Sequence, residues 1–562
     1  MFKRPVFLIV LLLTMHILHA QQRAVNGRIT DGASGQPVQE ASIAIKGTSF
    51  STLTDAEGKF VIHVRSGQVL SISHISYSAT EVPVDHGTSV VHIALESVTR
   101  QLSEIVVTGV LGIRRAAREL ATSAQEVNNA ELTQGKPVNP ILGLAGKVAG
   151  LRINMFDSKV DPDVQVNLRG IRSHSGDNSP LYVVDGVPIP DINRLNPNDI
   201  ESINVLKGAN AAALYGSEGV NGVLMITTKK GRAGRQKIAV SNTTLFESVM
   251  RLPEQQTRYG NGVNGVYNPT EYRSWGPAYD GSMKPVGAVL PDGSQWELPY
   301  TAEQDSRKDF FNTGITTQTD LSLSGGDDLS TFFLSVQNVS ATGIIEGDRN
   351  SKTGARFNAS RKFGKLTALF NLNYVYNRND VTPSEPWSIV YRHPAHIPYD
   401  AVRDWENIPY ASPNYWYSTN QPNPYFNAAN QRTLTSQQTL NANVELNYAF
   451  ASWFNAIYRV GVYNRNAQTR ATTGKFTYTT PGRTHIAGSV SDGADDFRRI
   501  NSDLILNFNK DFGKFSTRLL VGNNLRTDDT KTSLVSASAL VVPGLFNPGN
   551  RTGQLGGSAS TT

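Results

Sequence analysis

The sequence predicts a mainly β protein in three parts: a small N-terminal β-sandwich, an α+β domain, and an antiparallel transmembrane β-barrel. The first part is predicted from short alternating segments, bounded by turn residues, within residues 24–97. The second rests on a strand–helix–strand pattern at 196–231. The third rests on alternating segments of about ten residues beyond position 237. With 562 residues, the chain is long enough for several separate cores.

The first 20 residues have the composition of a secretory signal peptide. Lys3 and Arg4 precede an apolar core at Val6–Leu13, and a polar stretch begins at Gln21. This core is too short to cross a hydrocarbon layer of about 30 Å, which argues against a membrane anchor. We therefore predict that the protein is exported.

Composition excludes several classes of protein. The chain has no cysteine, so it offers no disulfide, no thiolate nucleophile and no cysteine for a lipid anchor. The net charge of +6 is spread along the chain. Its densest cluster, Lys229, Lys230, Arg232 and Arg235, is interpreted as a solvent-facing turn and not as a nucleic-acid surface.

The sandwich is predicted from five short strands separated by turn pairs such as Asp31-Gly32. His92 and Glu96 would lie on one face of the last strand. Because no third ligand accompanies them, we interpret them as surface residues and not as a zinc site. The predicted strands are Val25–Ile29, Ala41–Ile45, Lys59–Val64, Val69–Ile75 and Val91–Leu95.

The α+β domain is predicted most clearly near its end. Ile200–Leu206 alternates like a half-buried strand, and Gly208 ends it. Ala209–Tyr215 is rich in helix formers but spans only about two turns. An irregular glycine loop follows, and Val223–Thr228 is predicted to be a second strand. The local pattern alone fits an ordinary piece of any α+β domain.

The sequence also predicts the structure of two earlier segments of the α+β domain. Pro140–Val148 is predicted to be a short helix that a proline opens and Gly150 ends. Val164–Leu168 alternates into a core and leaves Arg169 and Gly170 at the strand end. An arginine buried at this strand end would need a carboxylate or carbonyl partner, for which the barrel wall is the expected source.

The barrel is predicted from long amphipathic segments with aromatic residues near their ends. A β-sandwich would alternate too, but its strands are usually about five or six residues long. In the clearest segment one face is apolar and the other polar: Leu366, Ala368, Phe370, Leu372, Tyr374 and Tyr376 against Thr367, Asn371, Asn373 and Asn377. Leu440–Phe450 repeats the pattern.

The loop Asp380–Gln431 is rich in Pro, Asn, Tyr and Trp and is predicted to face the outside. Its aromatic and amide side chains suit stacking on sugars or gripping peptides. A structured lid loop, whose aromatic residues pack on one another, fits the composition equally well.

No enzymatic site is predicted. Gly260, Gly262 and Gly265 match a dinucleotide-binding spacing, but no strand precedes them and no helix follows. Asp161 and Asp163 lack the turn glycine of a calcium loop. Because no nucleophile, base and orienting group form a recognisable set, we predict no catalysis, no cofactor and no metal.

Several strings resemble one family, the SusC/RagA-type TonB-dependent outer-membrane transporters. LYGSEGVNGVLMITTKKG is similar to the end of their plug domain, and ILGLAGKVAGLRIN, VQVNLRGIRS and PLYVVDGVPI are similar to earlier plug segments. VNGRITDGASGQPVQEASIAIKGT resembles the carboxypeptidase-regulatory-like domain that precedes many such plugs. The expected organisation is signal peptide 1–20, regulatory-like sandwich 21–99, TonB-box-like segment 100–109, plug 110–232 and partial barrel 233–562.

The resemblance also implies site residues. QLSEIVVTG resembles a TonB box, an extended segment that adds a strand to an energising partner; the implied TonB contacts are Glu104, Ile105, Val106, Val107 and Thr108. The alternative is one more edge strand of the sandwich. Glu218 stands where the family usually has arginine, which puts in doubt an ion pair between plug and barrel at that position. The implied plug motif is Arg169, Gly170, Asp185, Gly186, Tyr215, Gly216, Glu218, Gly219, Asn221 and Gly222.

The function that the resemblance implies is active import of a large nutrient, an oligosaccharide or peptide, through an outer membrane. Its implied partners are TonB and a SusD-like surface lipoprotein. A receptor with a periplasmic signalling role, or an inert remnant, are the alternatives. Nine or ten barrel-type segments occur where plugged transporters have about 22 strands, so we expect an open sheet around a well-formed plug, from the N-terminal part of a longer transporter.

Overall fold

The computed structural model describes residues 23–32, 34–48, 50–65, 67–74, 77–85, 89–95, 106–108, 114–116, 124–174, 178–208, 211, 215–303, 306–383, 386–513 and 515–562. The predicted signal peptide at 1–20 lies outside these residues. No helix in this described part is both long and apolar enough to cross a membrane. Contacts divide the chain into two compact units, residues 1–106 and 107–562.

The first unit is a β-sandwich, as predicted. Its strands are β1 (Arg23–Asp31), β2 (Ser42–Ile45), β3 (Ser51–Leu53), β4 (Lys59–Val64), β5 (Val69–His74), β6 (Tyr77–Pro83) and β7 (Val90–Leu95). One sheet has the order β4-β1-β7 and the other β3-β2-β5-β6. The five predicted strands all form, and sequence analysis missed the short or exposed strands β3 and β6.

The sandwich core follows directly from alternation. Along β4, Phe60, Ile62 and Val64 are buried while the residues between them are exposed. Their partners on β1 include Val25 and Ile29, both fully buried. Period-two patterning therefore gives each sheet one apolar face, and the two apolar faces pack on each other.

The second unit begins with a plug domain. Its strands are β8 (Val106–Thr108), β9 (Arg114–Ala116), β10 (Ala124–Asn128), β11 (Leu151–Met155), β12 (Val164–Leu168), β13 (Leu181–Val184), β14 (Val187–Ile189), β15 (Ile200–Leu206) and β16 (Val223–Thr228). A central sheet has the order β10-β15-β16-β13-β14, while β8 pairs with β9 and β11 with β12. The helical elements are α1 (Asn129–Leu132) and 3-10 turns at Leu142–Leu144, Pro197–Asp199 and Gly216–Asn221.

The structure corrects two details of the plug. Ile200–Leu206 has the predicted bounds but is not half-buried, because β10 and β16 flank it and side chains cover both of its faces. Pro140–Val148 does not form an α-helix; it contains only the 3-10 turn Leu142–Leu144. So short a segment gains too little from its own hydrogen bonds to complete helical turns.

The remaining chain forms one large antiparallel sheet of long strands. They are β17 (Gly234–Glu247), β22 (Gly314–Gly326), β23 (Ser330–Thr342), β24 (Arg349–Phe363), β25 (Leu366–Val381), β26 (Gln431–Ala451), β27 (Phe454–Thr473), β28 (Ser489–Phe512), β29 (Phe515–Ser538) and β30 (Gly556–Thr561). They pair in this order, and no ladder joins β17 to β30 among the described residues. This is the open barrel sheet that the sequence predicts.

Alternation sets the two faces of this wall. On β25 the amides Asn371, Asn373 and Asn377 are 7%, 4% and 2% exposed, because they point inward where the plug lies. The neighbouring Phe370 and Tyr374 point outward and are 38% and 42% exposed. Polar residues thus line the lumen and apolar residues face the surroundings, as in an outer-membrane barrel.

The long loops of the wall fold into a module of their own. It contains β18 (Gly262–Val263), β19 (Val266–Tyr267), β20 (Met283–Val286), β21 (Trp296–Pro299), α2 (Trp387–Arg392), α3 (Pro424–Asn430) and 3-10 turns at Ser306–Phe310, Asp400–Val402 and Pro409–Ala411. Trp416 and Tyr417 are each 1% exposed and pack with Tyr399 and Phe310 in one core. These aromatic residues therefore support a structured loop and are not open for sugar stacking.

Candidate functional site

The site that the structure assembles is the interface between the plug and the lumenal face of the wall. Its first element is the turn between β13 and β14. Asp185 and Gly186 occupy this turn with φ angles of 48° and 86°. The Asp-Gly pair suits a two-residue hairpin turn, in which both central residues have positive φ. Asp185 accepts hydrogen bonds from Thr228, at 3.0 Å from its backbone nitrogen and 2.7 Å from Oγ1.

Arg459 of β27 holds this turn from the wall. The side chain is 2% exposed and donates to the carbonyl oxygen of Gly186 over 3.2 Å. Its charge is matched by Glu445 on β26 at 2.6 Å and by Asp503 on β28 at 3.7 Å. A Cβ at position 186 would lie 2.1 Å from the guanidinium nitrogen, and φ there is 86°, so glycine favours this close approach.

A tyrosine from the same strand completes the contact. Tyr463 of β27 is 2% exposed and belongs to the plug core, which also contains Val187 of the turn. Its hydroxyl lies 3.5 Å from Asp191 of the plug. Gly461, between the arginine and the tyrosine on the lumenal face, leaves room for Val187, since a Cβ there would be 2.6 Å from that side chain.

A second cluster lies at the 3-10 turn before β15. Asn196 and Asn198 donate from their amides to the two carboxylate oxygens of Asp320 on β22, each over 2.9 Å. Gln337 of β23 donates to Asn196 Oδ1 over 2.9 Å. The amide groups therefore bridge the plug to two adjacent wall strands.

Asp199 in the same turn faces a buried arginine of the wall. Its Oδ2 accepts a hydrogen bond from Ser335 Oγ at 2.8 Å and lies 3.5 Å from Nε of Arg356. Arg356 and Asp199 side chains are only 2% and 6% exposed. Charges this deeply buried are retained only when paired, so each stabilises the placement of the other.

Two further wall residues bind the plug backbone. Asn358 of β24 donates to Thr228 Oγ1 over 2.9 Å and to the carbonyl of Lys229 over 2.7 Å. Lys352, on the same strand, donates to the carbonyl of Val138 over 3.1 Å. Strands β22, β23, β24 and β27 thus contact the plug through separate hydrogen bonds.

The ion pair that the sequence put in doubt is present, with its charges exchanged. Glu218 in the glycine loop of the plug accepts from Arg526 of β29, with 2.5 Å between Oε2 and Nη1. Gly216, Gly219 and Gly222 of the same predicted motif lie in or directly after this 3-10 turn. Glu218 therefore fastens the glycine loop to the wall.

Arg169 is not buried. It lies at the end of β12 with φ of 61°, and its side chain is exposed. The chain turns at Arg169-Gly170 because both residues adopt positive φ. Two buried arginines, Arg356 and Arg459, belong instead to the wall. The plug supplies the Asp199 carboxylate beside Arg356 and the Gly186 carbonyl beside Arg459.

Two further motif residues make contacts within the plug. Tyr215 packs against the small core that contains Leu206 and Met225. Asn221 donates to the carbonyl of Ser179 within the plug, over 3.5 Å. The predicted plug motif therefore mixes residues that bind the wall with residues that shape the plug.

The TonB-box-like segment is described only in part. Glu104 and Ile105 lie outside the described residues. Val106, Val107 and Thr108 form β8, a short strand that pairs with β9. Their assignment as TonB contacts stays a prediction.

Sequence analysis did not identify Arg459, Arg356, Asp199 or Asp320 as site residues. A usable signal exists for three of them: each is a charged residue on the polar face of a long amphipathic strand. Such a charge, well inside a wall strand, requires a partner in the lumen. Asp199 carries no comparable signal, because its turn looks like ordinary loop sequence.

The interface is closely packed. The cavity beside Asp185, Gly186 and Arg459 holds only about 60 Å³, space for a few water molecules. No group of three His, Cys, Asp or Glu side chains suited to a metal ion occurs in the part of the chain that the structure describes. The contacts found at this interface are hydrogen bonds and ion pairs between the plug and the wall.

Comparisons with known proteins agree with this architecture. The TonB-dependent Receptor Plug Domain model matches residues 116–223, and the CarboxypepD_reg-like domain model matches 25–107. TonB-dependent receptor SusC of Bacteroides thetaiotaomicron is 28% identical over 460 residues, covering 77% of this chain and 43% of SusC. TonB-dependent receptor P39 of Formosa agariphila is 31% identical over 370 residues, covering 65% of this chain and 34% of P39.

Solved structures show the same fold. The RagAB peptide importer in its open-open state has a TM-score of 0.61 at 19% identity, with 81% of this chain and 53% of that chain covered. In the closed-closed state the TM-score is 0.58 at 17% identity, with 79% and 52% covered. The matched part of this chain spans about half the length of these solved chains, and less than half of the curated relatives.

A plug beside an antiparallel wall is the architecture of TonB-dependent receptors, and residues 116–223 match the model of their plug domain. The chain is similar to SusC/RagA-type TonB-dependent transporters in sequence and in fold.

Proposed function

We propose that the protein imports a large nutrient across the outer membrane, with energy from TonB, and that the plug described here is the gate. The observation that carries the proposal is the manner in which the plug is held. Wall and plug are joined by separate hydrogen bonds and ion pairs, of which Arg459–Gly186 and Arg356–Asp199 are the most buried. A permanent seal would favour an apolar interface, whereas a gate has to separate from its wall and return.

The strength of these contacts suits a gate that opens under force. A single hydrogen bond within a protein contributes about 0.5–1.5 kcal/mol net, since water replaces it when it breaks. Contacts such as Asn358 to Lys229 and Lys352 to Val138 lie on one wall strand and can break one after another. Pulling from one end therefore needs less force than breaking all contacts at once.

The segment that TonB binds and pulls is Glu104–Thr108. An extended segment can add a strand to the sheet of TonB and transmit tension with little side-chain specificity. We assign TonB as the energising partner and a SusD-like surface lipoprotein as the lid above the barrel. RagAB is a peptide importer, so we retain peptide beside oligosaccharide as the substrate class.

Deletion of residues 104–108 at the chromosomal locus tests this function. Uptake of the nutrient should stop, while the amount of protein in the outer membrane and binding of the nutrient to whole cells should persist. The matched control deletes five residues from the exposed tip of the loop at 289–294, which lies far from 104–108 in sequence. Uptake that survives loss of 104–108 would overturn the assignment of these residues as the TonB-binding segment.

A further inference from the structure

The sandwich has an open edge that the import function does not use. β3 ends one sheet and β4 ends the other, so each strand has one backbone edge without a partner in its sheet. Between these strands lies a cleft of about 530 Å³, within the usual size range of ligand-binding clefts. Unpaired edges invite a further strand, and soluble proteins normally protect them.

Exposed apolar residues concentrate at this same edge. Four large apolar side chains are exposed in the described residues of the sandwich, and three of them, Phe50, Leu53 and Val61, lie on or beside β3 and β4. They are 68%, 61% and 52% exposed. The fourth, Val90, is the first residue of β7, which lies at the opposite edge of the sheet that contains β4. A cluster of this kind marks a surface that a partner covers.

The charged side chains that line the cleft have one sign. Lys59, His63 and Arg65 alternate along the outer face of β4 and its end, and all three are exposed. Among the residues that line the cleft, His63 and Arg65 are basic and none carries a carboxylate. A partner that enters here therefore meets basic side chains on one face and apolar side chains on the other.

We propose that the edge between β3 and β4 binds an extended acidic peptide segment of a periplasmic protein, which adds a strand alongside β4. Backbone pairing would supply affinity, and side chains of alternate residues would supply specificity. Because successive residues of a strand point to opposite faces, the segment should alternate acidic residues, against His63 and Arg65, with apolar residues, against Phe50 and Ile62. This surface is distinct from the TonB-box-like segment and does not depend on the transported nutrient.

Fluorescence anisotropy with two labelled synthetic peptides tests the proposal. In one peptide glutamate and valine alternate, and in the other lysine and valine alternate. The protein is purified in detergent from the cells that produce it. Only the glutamate peptide should bind, and its affinity should fall as salt is added, because attraction between exposed charges is screened. Equal binding of both peptides, or binding of neither, would overturn the proposal.

Variants locate the site. His63→Glu with Arg65→Glu should weaken binding of the glutamate peptide by about tenfold or more, since like charges face each other across the contact. Phe50→Ser should weaken it through loss of apolar contact. His92→Glu is the matched control, because His92 is equally exposed on the outer face of β7 at the opposite edge. All four positions are exposed, so the sandwich should fold in each variant, which circular dichroism verifies.

A different outcome would identify another partner. If the protein bound vesicles of phosphatidylglycerol through His63 and Arg65 but neither peptide, the basic surface would serve a membrane and the proposed strand addition would be wrong. Likewise, an equal loss of peptide binding in His92→Glu and in the His63/Arg65 variant would show general charge attraction and not a site.

Discussion

Glu218 of the plug and Arg526 of the wall form an ion pair with 2.5 Å between Oε2 and Nη1. Both side chains are partly exposed, at 39% and 30%, so water and salt weaken the pair. The family string that this segment resembles usually has arginine where this chain has Glu218, and here the arginine of the pair is Arg526 of the wall. The ion pair connects the glycine loop to the wall, with the carboxylate on the plug.

Reversing one charge of this pair should loosen the plug modestly. Glu218→Arg places two cations together and is expected to cost more than the roughly 0.2–1 kcal/mol that a partly exposed pair contributes. Arg526→Glu should act in the same way, and the double exchange should recover most of the loss. Urea unfolding of the four proteins gives the coupling energy, and strictly additive effects would contradict a direct pair.

Removing the buried arginine should have a much larger effect. Arg459→Met leaves Glu445 and Asp503 without their cation and the Gly186 carbonyl without its donor, so we expect a loss of about 3–5 kcal/mol. The matched control is Arg498→Met, which breaks an ion pair with Asp529 on the same wall, 57% and 42% exposed. That change should cost at most about 1 kcal/mol.

Thermal unfolding measures the loss of stability in these variants, and entry of a large antibiotic into whole cells measures how firmly the plug is held. Arg459→Met should lower the midpoint and admit the antibiotic, because the plug is held less firmly, while Arg498→Met should leave entry unchanged. Equal midpoints for the two variants would mean that burial of Arg459 contributes nothing to plug retention.

Gly186 should tolerate no side chain. In Gly186→Ala the new Cβ would meet Arg459 at 2.1 Å, in addition to the strain of φ at 86°. Gly216→Ala is the control, since φ is 61° there but open space surrounds the position, leaving only a backbone cost of about 1–2 kcal/mol. Gly186→Ala should therefore destabilise the plug more in the same urea assay. If Gly216→Ala proves the more damaging change, the close approach of Arg459 is not limiting.

The loop module should lose stability as pH falls. Burial lowers the pKa of His393 to about 3, and burial together with Lys284 lowers that of His396 to about 4. Both lie below the ordinary histidine value of 6.5. Between these values and 6.5 the unfolded loop binds more protons than the folded loop, so stability decreases with falling pH by up to about 1.4 kcal/mol per pH unit for each histidine.

Tryptophan fluorescence during urea unfolding, at pH 7.5 and at pH 5, follows the module because Trp416 lies in its core. His393→Gln and His396→Gln should each reduce the difference between the two pH values, and the double variant should reduce it most. A difference that neither substitution changes would trace the acid sensitivity to carboxylates.

The amphipathic strands were predictable because their pattern is local. Asn371 and Phe370 differ in polarity, and alternation alone directs one to the lumen and the other outward. The partner of Arg459 was not predictable, because Gly186 lies 273 residues away in the sequence. Similarly, the sequence left open whether Trp416 contacts a ligand or packs in a core. The fold places it in one core with Tyr399 and Tyr417.

The sequence by itself determined the order of the parts, the bounds of β15 and β16, and which face of each wall strand is polar, since these depend on residue type at periods of two. Only the tertiary structure decided that Arg169 is exposed, that Arg356 and Arg459 are buried, and that Glu218 meets Arg526. The physical reason is that a buried charge depends on its partner, and the contacts that join plug and wall link residues far apart in the sequence.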